Sequence, residues 1–217
     1  MNERNQSLGL HGSIETKSTA KIRKMPWYWR FTQRPSFWVS YYHGWLQVAL
    51  AKLSRRMMGT IAITSELSVR VFRGNGIIEE YGSTSFKVVQ DDFVALLVDA
   101  LDTGASPTLD NFDYGGFGTD SGAEDQTDSA LGAELTTEYA TDNTRPTGTI
   151  SQPAAYQYRM VVTLSPDASV TIEEFSPFSQ AANSGGVMMD RSLTGSQALT
   201  SSDSLQVTYT LTFTAGS

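Results

Sequence analysis

The sequence predicts a mainly β protein, an antiparallel β-sandwich of jelly-roll-like form with one or two short helices, preceded by an N-terminal arm that contains an aromatic helix. Three observations carry that expectation. First, the run from 204 to 214 alternates without a break: Leu205, Val207, Tyr209, Leu211 and Phe213 fall on one side, and Gln206, Thr208, Thr210, Thr212 and Thr214 on the other. A period of two is that of a strand with one dry and one wet face. Second, short apolar runs are separated by frequent Gly, Asn, Asp and Pro turn signals, the pattern of a sandwich or barrel. Third, only 18% of the 217 residues are charged, whereas solvated helices are rich in charge.

In chain order, residues 1–24 are polar and basic and read as an extended arm without the apolar centre of a secretory signal. All four Trp lie in residues 25–58. From 37 to 58, Trp38, Tyr41, Tyr42, Trp45, Leu46, Ala49, Leu50 and Leu53 recur at spacings of three and four, which predicts a helix that starts at Pro35 and Ser36 and stops at Gly59. The body is expected over 59–217, beginning with a strand at 60–73, a turn at Gly74-Asn75-Gly76 and a return strand at 77–81. A helix follows at 91–101, capped by Asp91 or Asp92, with Phe93, Val94, Leu96, Leu97, Ala100 and Leu101 as its inward stripe. Residues 111–118 read as a strand ending in a Gly-rich bend, 119–128 as an acidic loop, and 129–139 as a short helix with Leu131 and Leu135 inward. Strand character returns near Ile150 and over 156–164, with 170–175 as the expected neighbour of the latter across Pro166-Asp167.

The net charge of −7 divides unevenly. Residues 1–73 hold 12 Lys and Arg against 3 Glu, or +9, and residues 74–217 hold 4 against 20, or −16. A basic arm on an acidic body suggests contact with an acidic neighbour. Within the arm, Trp27, Trp29, Arg30, Arg34, Trp38, Tyr41, Tyr42, Trp45, Arg55 and Arg56 are the candidate partner-binding residues, because Trp, Tyr and Arg concentrate binding energy at interfaces. Membrane and nucleic-acid contact rank below a protein partner. The apolar run from 37 to 53 is shorter than the roughly 20 residues of a span, it contains His43, Gln47 and Lys52, and no nucleic-acid recognition motif accompanies the aromatics.

Catalytic chemistry finds little footing. The chain has no Cys, and its two histidines, His11 and His43, both lie in the arm. That excludes a thiolate metal site and a His-dependent triad in the body. Glu79-Glu80, Asp91-Asp92 and Glu173-Glu174 are sequence neighbours. In strands such neighbours face opposite ways, so these pairs read as solvated surface or a helix cap rather than a catalytic dyad. Asp113, Asp120, Glu124, Asp125 and Asp128 miss the spacing of the twelve-residue calcium loop, and an exposed acidic loop is expected, with ion binding by 113–128 left open. Gly115, Gly116 and Gly118 lack the phosphate-loop spacing and its Lys, and are expected to permit a sharp bend. No enzyme activity, cofactor or metal is expected.

Several stretches carry a resemblance: DDFVALLVDAL at 91–101, FGT at 117–119, DSALGAEL at 128–135, TRPTGT at 144–149, EFSPFS at 174–179, MDRS at 189–192 and SDSLQVTYTLT at 202–212. From about residue 60 to 217 the chain resembles small β-sandwich virion structural proteins of tailed bacteriophages, of tail, fibre or head-decoration type. Residues 1–58 lie outside it. The resemblance implies a structural protein located in the virion, most naturally a tail or head–tail connector-associated fibre or anchor component that docks through its arm. Its partners would be connector, portal-proximal or capsid subunits and further copies of itself, for example in a trimer. A capsid decoration protein and a host-surface binding module are the alternatives.

Overall fold

The structure, a computed structural model, describes residues 20–58, 62–88, 91–103 and 111–214, without the side chains of 27, 31, 54–58, 62, 87–88 and 102–103. The chain folds as a β-sandwich. Its elements are β1 (Lys21–Lys24), a 3-10 helix (Trp27–Thr32), α1 (Pro35–Met58), β2 (Ala62–Phe72), β3 (Ile77–Val88), α2 (Asp91–Thr103), β4 (Tyr114–Gly118), β5 (Thr149–Ser151), β6 (Gln157–Leu164), β7 (Val170–Phe178), β8 (Ser192–Leu199) and β9 (Ser204–Thr214). One sheet runs β1-β3-β2-β9-β6-β5 and the other β4-β7-β8.

The alternating strand at 204–214 becomes β9, in the interior of the larger sheet. It pairs antiparallel with β2 from Ala62↔Thr214 to Phe72↔Ser204, and with β6 from Gln157↔Thr212 to Leu164↔Leu205. Leu205, Val207, Tyr209 and Leu211 are buried, while the Thr side is half-exposed. These four meet Phe117, Ile172 and Phe175 of the second sheet in one buried cluster.

β4 runs straight through the glycines expected to bend it, and the reason is close approach. A Cβ on Gly115 would lie 2.8 Å from Val162 across the sandwich, and one on Gly116 would press on Phe178. Two other expectations are corrected. β7 is not the neighbour of β6; it belongs to the opposite sheet, between β4 and β8. Residues 129–139 form turns rather than a helix, because their backbone bonds go sideways. Leu135 N–H donates to the Phe117 carbonyl at 2.9 Å, and the Gly132 and Ala133 amides donate to the Glu174 carboxylate.

The basic segment ahead of α1 supplies a strand that no periodicity announced. β1 lies parallel on β3, from Lys21↔Ile77 to Lys24↔Glu80. All four of its side chains are exposed, and a charged edge of this kind discourages further strand addition. α2 is seated by Phe93, edge-on to Phe112 at 5.5 Å. Its expected inward stripe is only partly inward, since Val94 and Leu101 are exposed.

Candidate interaction surface

α1 is anchored by one face. The Trp29 ring sits edge-on to Tyr81 at 4.6 Å and to Phe37 at 5.7 Å, and all three are buried. Trp29 reaches that position because residue 195 is Gly at φ 70, where a Cβ would come within 2.7 Å of the indole; β-branched or larger residues are strained at such φ as well. Arg30 donates to the Ser83 carbonyl at 3.0 Å and lies over the Tyr41 ring at 5.0 Å. Arg34 donates to Ser121 at 2.7 Å and approaches Glu173 at 3.7 Å. Gln33 accepts from the Ser196 amide at 2.7 Å. The arm therefore spends part of its positive charge on its own body, where Arg23 also meets Glu79 and the body's Arg70 meets Glu80.

The expected partner-binding residues separate by direction. Trp29, Arg30 and Tyr41 face the sandwich, and Arg34 ties the start of α1 to the acidic loop. Trp38 is half-buried and stacks on Tyr42 at 5.0 Å. Tyr42 and Trp45 are exposed. The side chains of Trp27, Arg55 and Arg56 lie outside the described residues. Leu46, Leu50 and Leu53, which the helical spacing marked as apolar helix positions, and Val39, which it passed over, join Tyr42 and Trp45 as exposed apolar groups on the outer side of α1. The sandwich buries the Phe37, Ser40, Gly44 and Val48 side, so α1 has two apolar stripes where a surface helix ordinarily has one. Among the described residues, no helix is long and apolar enough to cross a membrane.

Several of the acids make internal ties, while Asp91, Asp92 and Asp125 are exposed as expected. Asp120 and Asp128 both bind Arg191, at 2.8 and 3.1 Å, and Arg191 also donates to Glu174 at 2.6 Å. Asp125 is held below the usual carboxylate range by the amide and hydroxyl of Thr127. Glu79 joins Arg73 and Tyr81, whose phenol is pushed up to about 12 by burial and by that carboxylate. Glu173 and Glu174 are both buried, which corrects the expectation of surface acids. Among the described residues, no group of three or more His, Asp or Glu is arranged to hold a metal ion.

Glu173 gives a pH prediction. Burial raises its pKa above the ordinary glutamate value, although a hydrogen bond from Ser196 and the charge of Arg34 pull the other way. A carboxyl whose folded pKa is raised binds more protons in the folded state, so stability falls as pH rises through that interval. The cost is absent below the unfolded value and complete above the folded one. Glu173→Gln is expected to match the wild type in thermal midpoint near pH 4 and to exceed it at pH 7, read by thermal melts across that range. An equal or lower midpoint at pH 7 refutes it.

No family model, curated protein or solved structure matches the chain.

Proposed function

We propose that this protein is a structural component of a tailed-phage virion, a tail or head–tail connector-associated anchor that docks through its N-terminal arm. One observation carries the proposal. α1 is packed on the sandwich by its inner side, and its outer stripe of Tyr42, Trp45, Leu46, Leu50 and Leu53 faces solvent. An apolar, aromatic strip of this length exposed on a helix packed against the body is the mark of an interaction surface rather than of a free one. The ties among the acids and arginines hold the loops rigid around the β-sandwich, which suits a part that bears load instead of turning over substrate.

The decisive experiment is a reconstruction of purified particles of the phage that encodes the chain, with quantitative mass spectrometry for copy number. Density at the head–tail junction or tail, at a stoichiometry matching the connector, is the expected result. A stoichiometry matching the major shell protein would instead make it a capsid decoration protein, and absence from purified particles overturns the virion reading.

A further inference from the structure

Exposed apolar side chains are concentrated in two places. Of the thirteen large apolar side chains exposed among the described residues, six are on α1 and three, Val94, Val98 and Leu101, are on α2. The α2 residues are spaced four and three apart, so they form one stripe along that helix, as Val39, Tyr42, Leu46, Leu50 and Leu53 do along α1. The two helices are also opposite in charge. α1 contains Lys52, Arg55 and Arg56 and no acid, and α2 contains Asp91, Asp92, Asp99 and Asp102 and no base.

We infer that copies of this chain join head to tail, the outer stripe of α1 on one copy packing antiparallel against the exposed stripe of α2 on the next. The direction follows from where the charges sit. The bases are at the C-terminal end of α1, and Asp91 and Asp92 are in the first turn of α2. Antiparallel packing sets these ends side by side, and it also opposes the two helix dipoles favourably. Pairing α1 with α1 in parallel would crowd the bases together, and pairing α2 with α2 would do the same to the acids. Ridges made by residues three and four apart on each helix fit the grooves of the other at the shallow angle of bundle packing. The two stripes are different surfaces, so the contact is heterologous, and each copy that adds its α2 leaves an α1 open for another until a ring closes.

This inference deepens the reading above by naming another copy as the neighbour that covers the α1 stripe. Its test uses purified protein alone, so it stands or falls whether or not the chain is found in a particle. A contact made by one pair of helices is at the small end of specific interfaces, and self-association is expected to weaken on dilution. Wild type, Leu46→Asp and Val98→Asp proteins are compared by sedimentation velocity over a dilution series. Both changed positions are exposed, and circular dichroism checks that each variant keeps its fold. Wild type is expected to form oligomers. Each variant alone is expected to be monomeric, because one half of the contact is spoiled. An equal mixture of the two is expected to give dimers and nothing larger, since the intact α1 of Val98→Asp meets the intact α2 of Leu46→Asp and both remaining faces are blocked. Monomeric wild type at every concentration overturns the inference. So does Val98→Asp that still self-associates, which would mean α1 pairs with α1, and so does a mixture that stays monomeric. Binding of wild type and Val98→Asp alike to phosphatidylglycerol vesicles, without self-association, would assign the α1 stripe to a membrane surface instead.

Discussion

Arg145→Met is expected to lose about 3–5 kcal/mol of folding stability, the range found when one partner of a buried ion pair is removed. For a chain of this size that is roughly 6–20 °C in thermal midpoint. Arg145 is almost fully buried and uses its whole guanidinium. Its Nε and Nη2 grip the two oxygens of Glu134 at 2.6 and 2.9 Å. Its Nη1 donates to the carbonyls of Gln180, Ala182 and Gly185 at 2.8–2.9 Å, and Nη2 reaches that of Asn183 at 3.3 Å. The plane lies over the Phe178 ring, 3.5 Å from its centre. Residues 180–185 thus wrap around one cation, and a Met there leaves four carbonyls and a carboxylate without their donor. Arg145→Lys is expected to recover little, because an ammonium has three donors and no planar fork. Adding Glu134→Gln to Arg145→Met is expected to restore part of the loss, since it removes the stranded charge. Denaturant unfolding of the two single variants and the double gives the coupling directly. A loss for Arg145→Met under about 1 kcal/mol, the ordinary worth of an exposed pair, contradicts this account.

The second large effect is expected at Arg191. Its Nε binds Glu174, which is fully buried, while its Nη atoms bind Asp120 and Asp128 and the Ala123 carbonyl. Burial alone would lower its pKa, but its bonds to Glu174 and Asp128 outweigh that and raise it. Raised above the ordinary guanidinium value, the group stays charged at every pH in the working range, so the tie is in force throughout. Arg191→Met strands the Glu174 charge in the core and frees the acidic loop together, again at about 3–5 kcal/mol. Two readouts separate these consequences. The denaturation midpoint reports the buried charge, and limited proteolysis between 119 and 128 reports the loop, which is expected to be cut in the variant before global unfolding. Glu174→Gln with Arg191→Met is expected to recover midpoint without restoring protection of the loop. A variant whose loop stays protected sinks the claim that Arg191 holds it.

What could be read ahead of the structure follows from how local the cause is. β9 was legible because its alternation is complete, and the β2–β3 turn because Gly74-Asn75-Gly76 leaves few alternatives. α2 announced its start through Asp91 and Asp92. β1 was silent, because Lys21–Lys24 has no apolar face and is held by backbone pairing with β3 and the Arg23–Glu79 ion pair. The sheet that receives β7 was hidden for a related reason. Seven of its nine residues are buried, polar ones included, so its pattern does not say which layer it joins. Leu131 and Leu135 have helical spacing, yet Leu131 packs with Phe178 and Met188 while Leu135 joins the main core. Groups outside the segment, the buried Glu174 carboxylate and the Phe117 carbonyl, direct their backbone away from a helix. The aromatic arm was legible as a patch, but not its orientation. A helix that is apolar on two opposite sides does not show by its pattern which side faces in, so the division between inward Tyr41 and outward Tyr42 and Trp45 could not be read from spacing.

The position of β9 also sets an order of events during synthesis. It lies between β2 and β6, and its pairing of Thr214 with Ala62 closes most of the described body into one loop. Contacts so distant along the chain form slowly, because the loop entropy must be met before any pairing rewards it. A nascent chain that has not yet produced residues 204–214 therefore holds a β2–β3 hairpin and a β5–β6 hairpin, each with an open hydrogen-bonding edge and an unfilled apolar face. In that interval the chain is at its most adhesive, and crowded synthesis of many copies would favour strand exchange between them over correct closure.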